Sequence, residues 1–91
     1  MARRRRPVTR YDVLVEVRLR PGIADPQGAT IERALPALGF SGISGVSVGK
    51  AFRFTVEAGS EQDAATLAGE LATRLLGNPV IEDSTVEVTA A

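Results

Sequence analysis

The 91-residue chain contains no cysteine, no histidine and no tryptophan. Without cysteine there is no disulfide, no thiolate metal ligand and no thiol nucleophile, whatever the compartment. Without histidine the imidazole general base and the Ser-His and Cys-His pairs go too, together with nearly every structural zinc arrangement. Carboxylates, hydroxyls, arginines and one lysine, Lys50, are what remain for chemistry. Aromatic residues are scarce, three Phe and one Tyr, so a core has to be built from Val, Leu, Ile and Ala. No apolar run approaches the roughly 20 residues that span a bilayer. Arg3, Arg4, Arg5 and Arg6 lead into Pro7, Val8, Thr9 and Arg10 rather than into the apolar stretch of a secretory signal. Cytoplasmic residence is therefore the expectation.

The length suits one small domain, which buries only about two thirds of its unfolded surface and gains from a partner. Formal charge is zero, but the Arg3–Arg6 block holds four of the eleven basic residues, and residues 7–91 carry seven basic against eleven acidic groups, a net of −4. The reading is a flexible arginine-rich tail over residues 1–9 and a single, mildly acidic domain over 10–91.

Residues 11–20 alternate, with Tyr11, Val13, Val15, Val17 and Leu19 on one face, which is the pattern of a half-buried strand. After Pro21-Gly22, Asp25 stands as a helix N-cap with Pro26 at the first helical position, where its missing N–H is harmless. A helix over 26–38 follows, with a stripe of Ile31, Ala34, Leu35 and Leu38 and with Gly39 as a left-handed C-terminal residue. Pro36 conflicts with that helix and predicts a kink or an early end. Val46, Val48, Phe52, Phe54, Val56 and Ala58 then recur with even parity. A three-residue loop at Gly49-Lys50-Ala51 would set Val48 opposite Phe52 and Val46 opposite Phe54. The other solution is one long, bent strand that shares a sheet with a second copy. Ser60 with Asp63 forms a variant capping box ahead of the stripe Ala64, Leu67, Ala68, Leu71, Ala72 and Leu75, which closes at Gly77 with Pro79 beyond. Val80, Ile81, Val86 and Val88 read as a final strand. The expected fold class is α+β, a two-layer sandwich of order β-α-β(β)-α-β, with a mainly antiparallel sheet and two helices on one face.

Candidates for chemistry are few. The arginine block could contact phosphate, but no aromatic stacking residues accompany it. Gly45, Gly49 and Lys50 lack the spacing of a phosphate loop and read as turn residues. Glu82 and Asp83 are adjacent, so in a strand they point to opposite faces and read as solvated charges. Gly28, within the first turn of a helix, is either merely tolerated or explained by close approach of another backbone.

The strings Asp25-Pro26-Gln27-Gly28, Ala34-Leu35, Leu38-Gly39-Phe40, Val46 through Val48-Gly49-Lys50, Phe54-Thr55-Val56-Glu57-Ala58, Leu75-Leu76 and Asn78-Pro79-Val80-Ile81-Glu82-Asp83 occur in that order. Their order and spacing, more than any one of them, resemble the PurS family of phosphoribosylformylglycinamidine synthase subunits, from about Tyr11 to Val88. The chain departs from the family pattern in its arginine-rich extension, in Pro36, and in Ser84 where an aromatic residue is expected.

The resemblance implies a part in the fourth step of purine synthesis, in which formylglycinamide ribonucleotide, glutamine and ATP yield formylglycinamidine ribonucleotide, glutamate, ADP and phosphate. It implies a cytoplasmic homodimer that bridges a glutaminase (PurQ-type) and a synthetase (PurL-type) subunit and assists ammonia transfer. The complex would use ATP and magnesium, while this chain would bind no cofactor or metal and contribute no catalytic residue. No nucleic acid and no membrane enter this picture. Asp25, Gln27, Gly28, Gly49, Lys50 and Asn78 are the expected subunit-interface positions, drawn from the family strings and from turn placement. The competing readings are a dimeric regulatory domain that binds a small molecule, and an RNA-binding module, which would lack the usual sheet aromatics.

Overall fold

The computed structural model describes residues 8–91, and the reading of Arg3–Arg6 as a tail lies outside them. Strand β1 spans Thr9–Leu19, helix α1 Pro26–Ala34, strand β2 Gly49–Ala58, helix α2 Glu61–Leu71 and strand β3 Glu82–Ala90. The three strands form one antiparallel sheet in the order β2-β1-β3. This is the α+β class that the patterning predicts.

The alternation of β1 is what builds the core. Val13, Val15 and Val17 are buried in the central strand, with Val15 fully enclosed. They are flanked in register by Phe54 and Val88 around Val13, and by Phe52 and Val86 around Val15. Helix α2 lies over this face and buries Ala64, Ala68 and Ala72 against it. Small side chains let the helix backbone approach the sheet closely, and the aromatic rings of β2 fill the flank. Of the predicted stripe, Leu67 and Leu75 are exposed instead. The alanines face the sheet, and beyond Leu71 a π-turn over Ala72–Leu76, closed by the Gly77 N–H on the Ala72 carbonyl at 2.9 Å, shifts the phase of the helix.

The Ser60 cap forms as predicted, with its hydroxyl accepting the Asp63 N–H at 3.1 Å. Helix α1 is shorter than the 26–38 expected: it ends at Ala34, and Pro36–Leu38 form a 3-10 turn capped by Gly39 in the left-handed region. Pro36 is the reason, since it has no N–H to give to the Glu32 carbonyl. The final strand opens at Glu82 rather than Val80, because residues 78–81 are turned by Ile81 and Glu82 N–H groups that both donate to the Asn78 carbonyl.

Two further expectations change. Of the two solutions for residues 46–58, the three-residue loop is absent and a single strand is present, with Gly49-Lys50-Ala51 running within β2 opposite Arg18, Val17 and Glu16, although the strand opens at Gly49 and leaves Val46 and Val48 outside it. Gly49 is needed not for a turn but for space, because a Cβ there would stand 2.7 Å from the Val17 carbonyl oxygen. The left-handed conformations fall earlier, at Gly39, Gly42 and Gly45. Second, only α2 packs on the sheet, whereas α1 makes no substantial contact with the sheet or with α2. Its stripe is consequently uncovered, with Ile31 45% and Leu38 70% exposed.

Candidate functional site

The positions singled out in the sequence converge on the end of the sheet where β1 finishes and β2 and β3 begin. There an open recess of about 680 Å³ is lined by Leu19, Asp25, Gln27, Gly49, Lys50 and Glu82, with Pro26, Thr30, Ile31 and Val48 completing it. Four of the six expected interface residues therefore share one surface.

Asp25 organises the helix side. One carboxylate oxygen accepts the Gly28 N–H at 2.9 Å, capping α1, and the other accepts the Val48 N–H at 2.8 Å. These two backbone donors hold its carboxyl below the ordinary value of 3.8, Gly28 contributing most, then Val48, with burial opposing them. Gly28 is buried behind Asp25 rather than in the recess. A Cβ on Gly28 would collide with the Val46 carbonyl oxygen and lie 2.8 Å from Asp25 Oδ2. Close backbone approach, the second reading of Gly28, is thus the physical reason for glycine there.

Glu82 organises the strand side, and here the sequence reading needs correction. Its side chain is only 14% exposed. Oε1 accepts the Asn78 N–H at 2.6 Å, while Oε2 stands 3.9 Å from Lys50 Nζ. The register explains it: Glu82 pairs with Leu19 and Lys50 with Val17, which puts both charges on the core-side face of the sheet, beyond the end of the apolar rows. Asp83, on the opposite face, is also partnered, 3.2 Å from Arg20 Nε. Arg20 further donates to the Pro79 carbonyl and, through its backbone, to Ile81. Asn78 lies outside the recess but is joined to it through Glu82, and its own Oδ1 accepts the Val80 N–H at 3.1 Å. Parity alone could have placed Glu82 beside Lys50, had the β1–β3 register been known.

Chemically this surface offers two carboxylates already engaged by backbone donors, one ammonium and an apolar floor. Its carboxylates hold protein groups in place and present no free base. Among the described residues no cluster of three or more Asp or Glu side chains is arranged to hold a metal ion, and no helix is long and apolar enough to cross a membrane.

Comparison with known proteins identifies the family. Residues 12–90 match the PurS family model, described as phosphoribosylformylglycinamidine (FGAM) synthase. The PurS subunit of phosphoribosylformylglycinamidine synthase from Mycobacterium leprae is 48% identical over 73 residues, 80% of this chain and 89% of that one. The crystal structure of Methanocaldococcus jannaschii PurS superposes with a TM-score of 0.80 at 32% identity, covering 89% of this chain and 98% of that one. The PurLQS structure from Thermotoga maritima includes a chain that superposes with a TM-score of 0.81 at 29% identity, covering 91% and 99%. With sequence, fold and coverage in agreement over nearly all the described residues, the chain belongs to the PurS family of phosphoribosylformylglycinamidine synthase subunits.

Proposed function

We propose that this chain is the small, non-catalytic subunit of phosphoribosylformylglycinamidine synthase, the glutamine-dependent ligase that converts formylglycinamide ribonucleotide, glutamine and ATP to formylglycinamidine ribonucleotide, glutamate, ADP and phosphate in purine biosynthesis. The observation that carries this reading is the family match over residues 12–90. The relative from Methanocaldococcus jannaschii is one of the subunits of formylglycinamide ribonucleotide amidotransferase in the purine biosynthetic pathway, and the Thermotoga maritima relative is part of PurLQS. By analogy this chain bridges a PurL-type synthetase and a PurQ-type glutaminase in the cytoplasm. The large subunits handle ATP and magnesium, and residues 10–91 carry the bridging role.

Chemistry supports a role in positioning. A chain without cysteine cannot form a glutaminyl thioester. Ammonia released into neutral water becomes mostly ammonium, which is no nucleophile, so a part that holds the two active subunits together preserves the reactive form. The six residues Asp25, Gln27, Gly28, Gly49, Lys50 and Asn78 are proposed as positions at or directly behind the subunit interface, a reading supported by their gathering around one end of the sheet.

A homodimer is the proposed state, and the uncovered apolar groups are its support. Ile31, Leu38, Phe40 and Ile43 are exposed along α1 and the loop after it, and Leu67 and Leu75 on α2; large apolar side chains gathered along one segment are what an interaction surface presents. Strand β2 is also an unpaired edge. A second copy that pairs along β2 and covers the apolar side of α1 answers both.

The test is glutamine-dependent turnover by the synthetase and glutaminase subunits with and without this chain. Turnover that depends on its addition is expected, and equal rates without it would sink the proposal.

A further inference from the structure

Helix α1 is held by little besides two carboxylates. It has no substantial packing against the sheet or α2, and its single buried residue is Gly28. What fixes it is the extended segment 46–48. Asp25 Oδ2 accepts the Val48 N–H at 2.8 Å, and Glu32 Oε1 accepts the Val46 N–H at 2.9 Å. The two acids lie seven residues apart, two helical turns, and so fall on one face of α1. The two amides are likewise two residues apart and point the same way, as in a strand. The acceptors thus stand along the helix as a neighbouring strand's carbonyls would stand along a ladder. Between them the backbone of Gly28 presses on the Val46 carbonyl oxygen.

We infer that Asp25 and Glu32 form a two-point latch that makes α1 and residues 46–48 a single rigid arm, and that the latch sets the arm's orientation toward a second copy of the chain. The inference rests on the homodimer proposed above and deepens it: these two acids are positioning residues for self-association and need not touch the partner. The apolar residues Ile31 on α1, Leu35 at its C-cap and Leu38 in the 3-10 turn that follows belong to the segment that the latch holds. An arm that swings loses the fixed presentation of these residues, and association then bears the ordering entropy that the latch removes in advance.

The two acids differ in what replaces them. Glu32 uses one oxygen on one donor, so a glutamine amide oxygen can take its place. Asp25 uses both oxygens on two N–H donors, so in Asp25→Asn the side-chain NH2 must confront one of them. The latch therefore predicts a pattern across three variants: Glu32→Gln close to wild type, Glu32→Ala and Asp25→Asn impaired.

The experiment is sedimentation equilibrium of the full chain and its variants, combined with residue-resolved amide hydrogen exchange. Glu32→Ala and Asp25→Asn should raise the self-association Kd by about tenfold or more, the size of a lost hydrogen bond to a charged group. Glu32→Ala should deprotect the Val46 amide and Asp25→Asn the Val48 or the Gly28 amide, whichever faces the new NH2, with Val13, Val15 and Val17 remaining protected. Glu32→Gln should restore both the Kd and the Val46 protection. Unchanged self-association in variants whose Val46 or Val48 amides have been released would overturn the latch while leaving the dimer standing. A wild-type chain that stays monomeric at all concentrations would instead overturn the dimer reading itself. Equal impairment of Glu32→Gln and Glu32→Ala would also count against the latch, because charge rather than the bond would then be the cause.

Discussion

The backbone of Gly28 lies against the carbonyl oxygen of Val46, leaving no room for a side chain between helix α1 and the segment that leads into β2. At an ordinary position in a helix, replacing glycine by alanine stabilises by up to about 1 kcal/mol. At Gly28 the sign reverses. Gly28→Ala should destabilise by about 1–3 kcal/mol, the usual range for forcing a methyl into a packed site, and thermal unfolding should show the lowered Tm. A raised Tm would mean that the contact yields freely.

Val15 is fully enclosed between Phe52, Val86 and the alanines of α2. Val15→Ala removes two methyl groups from a site that cannot collapse around the loss, and it should reduce stability by about 2–3 kcal/mol. Denaturant unfolding with an unchanged m value is the check. Leu14, on the opposite face of the same strand and half-buried, should tolerate alanine with a much smaller loss.

Lys50 and Glu82 form an ion pair, yet their substitutions should not be equivalent. The pair is long at 3.9 Å and Lys50 is more than half exposed, so Lys50→Ala should change stability by less than about 0.5 kcal/mol. Glu82 also accepts the Asn78 N–H at 2.6 Å, and Glu82→Ala should reduce stability by about 1–2 kcal/mol, because a backbone donor loses its acceptor at the start of β3. Comparing the two variants by urea unfolding at low and high salt separates the roles, since only the ion pair is screened.

The carboxyl of Asp25 is held below 3.8 by its two backbone donors. Its contribution to folding is therefore complete above about pH 3.8 and disappears as pH falls through the lower value of the folded state. Wild-type stability followed by urea unfolding from pH 7 downward should drop in that acid window. Asp25→Asn should be less stable at neutral pH and should lack this part of the drop, so that the two curves approach each other below it. Parallel curves would show that Asp25 is not the group responsible.

Leu38 is 70% exposed on the arm. Leu38→Asp should leave the α2–sheet core folded, as judged by protection of the β1 amides, while shifting the chain toward monomer in sedimentation.

Much of this molecule could be read before its shape was known, and the exceptions share one cause. Alternation fixed the inward face of β1, and Ser60 and Asp25 marked both helix starts, because each depends on neighbours within a few residues. The early end at Pro36 was visible for the same reason. What could not be read was tertiary. Nothing in the leucine stripe of α2 says that its alanines, not Leu67 and Leu75, face the sheet, since period alone does not choose between adjacent stripes. The β1–β3 register, which puts Glu82 beside Lys50, joins residues more than sixty positions apart. The candidate site was legible as a set of residues through the family strings, but Glu32 was missed: its partner is a backbone N–H fourteen residues away, and backbone groups leave no mark on a sequence.

The π-turn at Ala72–Leu76 also bears on how this length of chain can change over evolutionary time. Such a turn is what a regular helix becomes when it accepts one additional residue without disturbing its flanks. Deleting one residue from this stretch is therefore a natural neighbour of the present sequence. Regular winding would be restored, and Ala64 and Ala68 before the turn and Gly77 after it would keep their places, because the turn already absorbs the residue removed. The change would be confined to the turn, where Leu75 now stands outward, so a single deletion could trim the exposed apolar surface there while the alanine face on the sheet stayed as it is.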